Sequence, residues 1–320
     1  MAAIRPLATR DLAEVQRVIR VAFGTFLGVP DPEKFLGDLD YAAGRFGAEH
    51  VAAFVAEEDG VLLGSNFATR WGSVGFFGPL TTRPDRWNGG VGQQLVAAAC
   101  DAFEEWGVSH AGLFTFADSA KHAWTYGKFG FYPRFLTAIM AAPAPHAAAA
   151  GANPAAGRRW TRYWGLPAGQ RREAEAKARQ LAEEIYPGLD LRDEIRTVLA
   201  RNLGNTVLLW DGDSRLAGFA ICHWGPASEA GAGCCYIKFG AVRPGSGAAE
   251  RFAALLDACG ELAAAVHMPT VLAGVNLARE EAYRIMLARG FRTRIQGVAM
   301  HRRNEPGYSR PGLFVIDDWR

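Results

Sequence analysis

The two halves of this 320-residue chain repeat one another at a fixed offset of 160 residues. Several coincidences at a single offset indicate a duplicated unit. The length of the chain also favours two domains of ordinary size over one. The matching positions are Arg83-Pro84 with Arg243-Pro244, Leu95 with Leu255, Gly130-Phe131 with Gly290-Phe291, Arg134 with Arg294, and Met140 with Met300.

A low-complexity stretch rich in Ala, Pro and Gly lies near the midpoint, at residues 141–159. Such a composition is flexible or semi-extended and is typical of a linker. We therefore predict a first domain over residues 1–142, a linker over residues 143–159 and a second domain over residues 160–320.

The overall composition excludes several classes of partner. Lys and Arg number 35 against 33 Asp and Glu, a net charge of +2, so neither nucleic acid nor a membrane surface is expected as a partner. The five cysteines show no C-x-x-C spacing, which predicts reduced thiols and no metal site. The N-terminus has no signal-peptide pattern and no apolar stretch is long enough to span a bilayer, so a cytoplasmic location is expected.

Both halves show the same order of elements, and this order predicts an α/β fold with a mixed sheet. In the second half, helix Ala248–Val266, strand Val271–Val275 and helix Ala278–Arg289 repeat the last three elements of the first half. The first half reads as helix Asp11–Phe23, hairpin strands Val51–Glu57 and Val61–Arg70, strand Phe76–Thr82, helix Val91–Trp106, strand Ala111–Phe116 and helix Ser119–Phe129.

A glycine-rich loop joins a strand directly to a helix at Trp87-Asn88-Gly89-Gly90-Val91-Gly92-Gln93. Such a loop leaves backbone N–H groups unpaired in front of the positive end of the helix dipole. The pattern predicts a site for a phosphate or pyrophosphate. A single tyrosine, Tyr126, follows downstream just before the helix-ending Gly130-Phe131, which suggests group transfer from a nucleotide-linked carrier.

These motifs resemble the GNAT family of acetyl-CoA-dependent N-acetyltransferases. That family has an Arg/Gln-x-x-Gly-x-Gly/Ala loop, and both motif glycines are present here as Gly90 and Gly92, with Trp87 in place of the Arg or Gln. It also has a helix ending in Tyr-x-x-x-Gly-Phe, which Tyr126 and Gly130-Phe131 match. The resemblance covers both halves as a fold and implies two tandem GNAT-like domains with acetyl-CoA as co-substrate.

The resemblance also implies roles for individual residues of the first half. The loop amides would hold the CoA pyrophosphate, and the strand ending at Thr82 would pair with the pantetheine arm. Tyr126 would protonate the departing thiolate, because a phenol stays protonated at neutral pH. No general base stands out, and Glu57, Glu58 and Asp85 are candidates by proximity alone. The residues expected to bind the donor are Leu80, Thr81, Thr82, Trp87, Asn88, Gly89, Gly90, Val91, Gly92, Gln93, Ser119 and His122.

The second half departs from the motif where the chemistry should lie. At the 160-residue offset Glu250 replaces Gly90, Phe252 replaces Gly92 and Met286 replaces Tyr126. A carboxylate and a bulky ring oppose a pyrophosphate, and Met286 cannot give up a proton. An alternative alignment uses Gly245 or Gly247, which would displace the loop from the helix start. The second copy is therefore interpreted as a degenerate domain.

The predicted function is direct transfer of an acetyl group from acetyl-CoA to an amine by the first domain. One alternative is a tandem enzyme with an active C-terminal domain, as in mycothiol synthase. Another is a non-catalytic protein that binds or senses acetyl-CoA.

The acceptor is expected to be a small-molecule or peptide amine. Its cleft would be built from residues 24–50, whose aromatic side chains favour a partly apolar acceptor, and from surfaces of the second domain. The tail Leu313–Arg320 is predicted to be a last strand or a strap over the other domain. The sequence leaves the oligomeric state open, a homodimer included.

Overall fold

The computed structural model describes residues 2–145, 159–212 and 214–320. Most of the predicted linker, residues 146–158, lies outside the described residues. The helices are α1 (Leu12–Phe26), α2 (Tyr41–Arg45), α3 (Val91–Glu105), α4 (Ala120–Gly127), α5 (Ala168–Ile185), α6 (Arg192–Ala200), α7 (Ala248–Ala265) and α8 (Glu280–Ala288). The strands are β1 (Ala3–Pro6), β2 (Val51–Glu58), β3 (Val61–Trp71), β4 (Val74–Phe77), β5 (Thr81–Thr82), β6 (His110–Phe116), β7 (Phe131–Pro143), β8 (Arg159–Arg162), β9 (Gly204–Asp211), β10 (Arg215–Gly225), β11 (Gly231–Val242), β12 (Thr270–Asn276), β13 (Arg292–Arg302) and β14 (Val315–Ile316).

The helices form where apolar residues recur with helical spacing. In α1, Val15, Val18, Ile19 and Ala22 lie on one face and are all buried against the sheet. In α3 the same spacing buries a stripe that begins at Val91. These two helices cover the strands that lead into the glycine loop, and so they fix the position of that loop.

All the strands join one sheet that runs through both copies. The order of its main path is β1-β2-β3-β4-β6-β13-β7-β12-β11-β10-β9-β8. Strand β6 of the first copy therefore pairs with β13 of the second, and β12 of the second pairs with β7 of the first. Both pairs are antiparallel, and β13 and β7 pair with each other between them. The two copies thus exchange equivalent strands about a local twofold relationship.

The exchange has a direct consequence for the first copy. Strand β13 carries residues of the second copy to the edge of the first copy's cleft, beside Phe114 and Phe116. The sequence does not predict this exchange, because strand periodicity does not specify the partner with which a strand pairs. The boundaries at residues 142 and 160 remain predictions.

Candidate functional site

The glycine loop ends at a free helix N-terminus. Gly90 precedes α3 with a φ of 81°, a left-handed conformation that glycine adopts without strain. Among the described residues, no atom accepts a hydrogen bond from the amides of Gly90, Val91 and Gly92. An added Cβ at Gly92 would meet only the methyl group of Thr82, at 3.8 Å. The three amides and the helix dipole are therefore available to an anion.

Trp87 ties the loop to the preceding strand. Its Nε1 donates a hydrogen bond to the carbonyl oxygen of Thr82 at 3.0 Å. The ammonium group of Lys121 lies 5.5 Å from the centre of the indole ring. Trp87 thus joins the strand, the loop and the start of α4, although it stands where the resembling family has Arg or Gln.

The strand before the loop separates from its neighbour. Strands β4 and β6 pair in parallel from Val74 to Phe77, and strand β4 then ends before Gly78-Pro79. Strand β5 pairs with β3 and not with β6, and the pairing of β4 with β6 ends at Leu113, while β13 lies along the opposite edge of β6. A gap therefore opens beside Leu80–Thr82, with strand edges on both sides.

A cavity of about 520 Å³ lies at the mouth of this gap. It is lined by the glycine loop, the strand end and α4, so the fold brings together most of the residues expected to bind the donor. Gly89 and Ser119 do not line it, and Ser119 instead accepts a hydrogen bond from the amide of His122 at 3.4 Å as the cap of α4. The lining residues from the expected set are Leu80, Thr81, Thr82, Trp87, Asn88, Gly90, Val91, Gly92, Gln93 and His122, with Tyr126 beside them.

A second cavity, of about 590 Å³, lies on the other side of the strand break. Both copies line it, because β13 contributes Arg294, Ile295 and Gln296 and the tail contributes Trp319 and Arg320. The residues on β13 could not be placed here from the sequence, since their proximity depends on the strand exchange. The two cavities share five lining residues, which are Phe23, Leu80, Phe116, His122 and Tyr126.

Tyr126 lies in the wall between the cavities. Its ring is buried and packs edge-on against Phe77, with 5.7 Å between ring centres. Among the described residues no group is hydrogen-bonded to its hydroxyl. Burial raises the pKa of Tyr126 above that of an ordinary tyrosine. The phenol is therefore protonated at neutral pH and free to donate a proton to a ligand.

His122 lies one helical turn before Tyr126 and lines both cavities. Burial lowers the pKa of His122, the charge of Lys121 lowers it further, and Asp118 partly offsets this. Its Nδ1 is buried without a hydrogen-bond partner, and its ring lies 5.0 Å from that of Phe26. A neutral imidazole with an unsatisfied nitrogen can accept a proton at this point.

The carboxylates considered from sequence as the general base do not reach either cavity. Glu57 accepts hydrogen bonds from Arg5, Glu58 pairs with Arg86 at 3.2 Å, and Asp85 pairs with Arg83 at 3.0 Å. The carboxylate that does line the second cavity is Asp118, just after β6. Asp118 could have been considered from the sequence, because a polar residue just after a buried strand is a common position for a functional side chain.

The second copy retains a glycine at the start of its helix, contrary to the alignment at the 160-residue offset. Helix α7 begins at Ala248 and is capped by Gly247, whose φ of 74° matches that of Gly90. Gly247 is thus the counterpart of Gly90, and Glu250 lies within the first turn of the helix. The loop of the second copy is shorter, so Glu250 and Phe252 do not occupy the positions of Gly90 and Gly92, and the prediction based on them is wrong.

The gap beside this second loop is filled by the tail of the chain. Val315 and Ile316 of β14 pair with Ala241 and Gly240 of β11, which are the counterparts of Thr81 and Leu80. The amide of Asp317 also donates to the carbonyl oxygen of Gly274 on β12, at 3.0 Å. The tail therefore forms a strand in the gap that stays open in the first copy. Met286, the counterpart of Tyr126, is fully buried in the core.

Two absences within the described residues bear on the kind of site. Within the described part of the chain, no helix combines the length and the apolarity needed to cross a membrane. Nor do the described residues contain a group of three or more His, Cys, Asp or Glu side chains placed to hold a metal ion.

The first copy matches a known family in sequence. Residues 16–131 match the model of the acetyltransferase (GNAT) family, and this span contains the glycine loop, His122 and Tyr126. No curated protein matches the chain in sequence.

Solved structures share the fold along nearly the whole chain. A Pyrococcus horikoshii protein superposes with a TM-score of 0.67 at 10% identity, over 99% of this chain and 95% of that chain. A GCN5-related N-acetyltransferase from Sphaerobacter thermophilus gives 0.59 at 18% identity, over 96% of each chain. A tandem GNAT protein from the clavulanic acid biosynthesis pathway gives 0.57 at 15% identity, over 94% of this chain and 98% of that chain. The predicted α/β fold with tandem GNAT-like domains is confirmed.

Proposed function

The chain belongs to the acetyltransferase (GNAT) family through residues 16–131, and from this we propose that its first copy transfers an acetyl group from acetyl-CoA to an amine. The family supports acyl transfer as the class of reaction. The observation that carries the proposal is the meeting of two cavities at Tyr126, one of them beside the free amides of the glycine loop. A transferase needs this arrangement, because donor and acceptor must approach the same atoms from two sides.

The first cavity fits the polar part of the donor. The amides of Gly90, Val91 and Gly92 would hold the pyrophosphate, and the edge of Leu80–Thr82 would pair with the pantetheine arm. Asn88 and Gln93 line the same cavity and would contact the polar groups of the donor. When bound, acetyl-CoA supplies the acetyl group as a thioester.

The residues shared by both cavities would carry the chemistry. The amide of Leu80 lies at the strand break, where it could stabilise negative charge on a carbonyl oxygen. The buried hydroxyl of Tyr126 would provide the proton needed by a departing thiolate. The imidazole of His122 would take the proton from the amine, since burial keeps this ring neutral near neutral pH.

The tail strand β14 supports the first copy over the second as the active one. It occupies the backbone groups of Gly240 and Ala241 that a donor would need in the second copy. An active second copy would require this strand to leave a sheet in which Val315 and Ile316 are fully buried.

The experiment is a transfer assay with the purified chain, acetyl-CoA and a panel of primary amines, read as release of free CoA thiol. Acetylation of at least one amine, lost in Tyr126→Phe, is the expected result. Binding of acetyl-CoA without transfer to any amine would contradict the proposal and favour a non-catalytic acetyl-CoA-binding protein.

A further inference from the structure

We propose that the second cavity is the acceptor pocket, and that it takes a primary amine with a ring-sized apolar body and an acidic group that binds Arg294. This inference rests on the proposed acetyl transfer, and it adds the class of the acceptor and the part played by the second copy.

The position of the cavity makes it the acceptor side. It shares His122 and Tyr126 with the donor cavity, so an amine inside it reaches the groups expected to move protons. Its volume of about 590 Å³ lies within the usual range for a pocket that holds a small molecule. A peptide chain would need an open groove, whereas this space is closed on one side by β13 and the tail.

The lining of the cavity favours an apolar body. Aromatic side chains form much of the wall, and they include Phe35 and Tyr41 from the segment expected to build the acceptor cleft. Ile139 and Ile295 add aliphatic surface from the exchanged strands. A flat hydrocarbon ring would pack against such a wall, and a highly charged acceptor would lose its hydration there.

The charged groups of the cavity favour a molecule with both an amine and an acid. Asp118, next to His122, is a carboxylate that would attract an ammonium group to the base. Arg294 supplies a positive charge from the second copy. Asp118 comes from the first copy and Arg294 from the second, so the strand exchange brings a negative and a positive group into one pocket.

Arg294 is an exposed guanidinium of this cavity that is available to a ligand. It lies at a β-bulge between Thr293 and Ile295, and such bulges redirect a side chain out of the regular pattern. The Arg294 side chain is exposed, and it forms no ion pair with any of the described residues. Arg320 is largely buried, lies 4.1 Å from the centre of the Tyr236 ring and forms an ion pair with Asp318 at 3.3 Å, although its Nε and Nη2 form no hydrogen bond with the described residues. An unpaired guanidinium fits a carboxylate through two parallel hydrogen bonds.

The test is steady-state kinetics on three matched sets of acceptors. Phenylalanine, phenylalaninamide and 2-phenylethylamine share ring and amine, and differ in the acid. The second set, 4-(aminomethyl)benzoate and benzylamine, places the acid on the ring. The third set, 3-phenyl-β-alanine and 1-phenylethylamine, has an intermediate distance between the amine and the acid. In the wild type at least one acidic acceptor should have a higher kcat/KM than its neutral partner.

Arg294→Gln should lower kcat/KM for that acidic acceptor by about 10- to 100-fold, through KM, and leave its neutral partner unchanged. Arg294→Lys should keep part of the preference. Arg292→Ala is the matched control, because Arg292 lies on the same strand, does not line the cavity and donates to the carbonyl of Phe291 at 2.9 Å. Transfer to neutral amines with no acid preference, or a preference that survives Arg294→Gln, would overturn this inference and leave the proposed transfer standing. Absence of transfer to every amine would overturn both.

Discussion

Arg45 of the first copy donates hydrogen bonds to both carboxylate oxygens of Glu229 of the second copy, at 2.9 and 2.7 Å, and both side chains are 1% exposed. Lys238 lies 2.8 Å from Glu229 and 2.9 Å from Glu194. Burial alone would raise the pKa of Glu229, but Arg45 and Lys238 hold it well below the usual value. Arg45 also donates to the carbonyl of Gly78, at the strand break. The ionic contact between the copies therefore supports the strand that the donor would pair with.

Glu229→Gln should destabilise the protein strongly, because it leaves the buried charge of Arg45 without its partner. A loss of about 3 kcal/mol in the free energy of unfolding is expected from chemical denaturation. Glu184→Gln is the control, since Glu184 pairs with Arg243 at the surface and should contribute under about 1 kcal/mol. Equal stability of the two variants would show that the interface does not depend on this pair.

Gly92→Glu should weaken acetyl-CoA binding by at least about tenfold, because it puts a carboxylate beside the amides that would hold a pyrophosphate. The backbone at Gly92 is helical and an added Cβ meets only Thr82, so the fold should persist. Gly92→Gln has nearly the same shape without the charge. Calorimetry should find tighter binding in Gly92→Gln than in Gly92→Glu, and this difference should shrink at high salt. Equal affinities would place the anion elsewhere.

Tyr126→Phe should lower kcat by about 100-fold with little change in the affinity for acetyl-CoA, because it removes a proton donor and keeps the ring. Tyr132→Phe is the control, since Tyr132 is exposed and lines neither cavity. Stopped assays of CoA thiol release across pH would measure both. Unchanged turnover in Tyr126→Phe at every pH would remove this residue as the acid.

If His122 is the base, its pKa sets the direction of the pH dependence of transfer. A base must be neutral, so activity should fall as the pH drops through the pKa of His122, and burial places that pKa below the ordinary value of 6.5. In a plot of kcat/KM against pH, the fall on the acid side should therefore lie below pH 6.5. This acidic limb should disappear in His122→Asn, whose residual activity should be low. His267→Asn, at an exposed histidine of the second copy, should keep the limb. A limb that persists in His122→Asn would assign it to another group.

The sequence was sufficient for the fold of each copy because its signals are local. The hairpin of β2 and β3, the helix after the glycine loop and the buried strand β6 form close to their predicted bounds. Apolar periodicity and glycine position specify such elements without knowledge of their partners.

The partners themselves were not predictable in the same way. The pairing of β13 with β6 is long-range, and no local pattern distinguishes it from pairing within one copy. Arg294 therefore could not be placed at the cleft from sequence. A single offset also failed at Gly247, because the loop of the second copy is shorter and the helix after it is longer, at 18 residues in α7 against 15 in α3.

The central claim is that the chain has one working donor site, in the first copy. A calorimetric titration of the intact chain with acetyl-CoA tests it most directly, with the stoichiometry as the readout. The account predicts one site per chain, weakened in Gly92→Glu, because β14 fills the equivalent slot of the second copy. Two sites, or one site that is unaffected by Gly92→Glu, would contradict it.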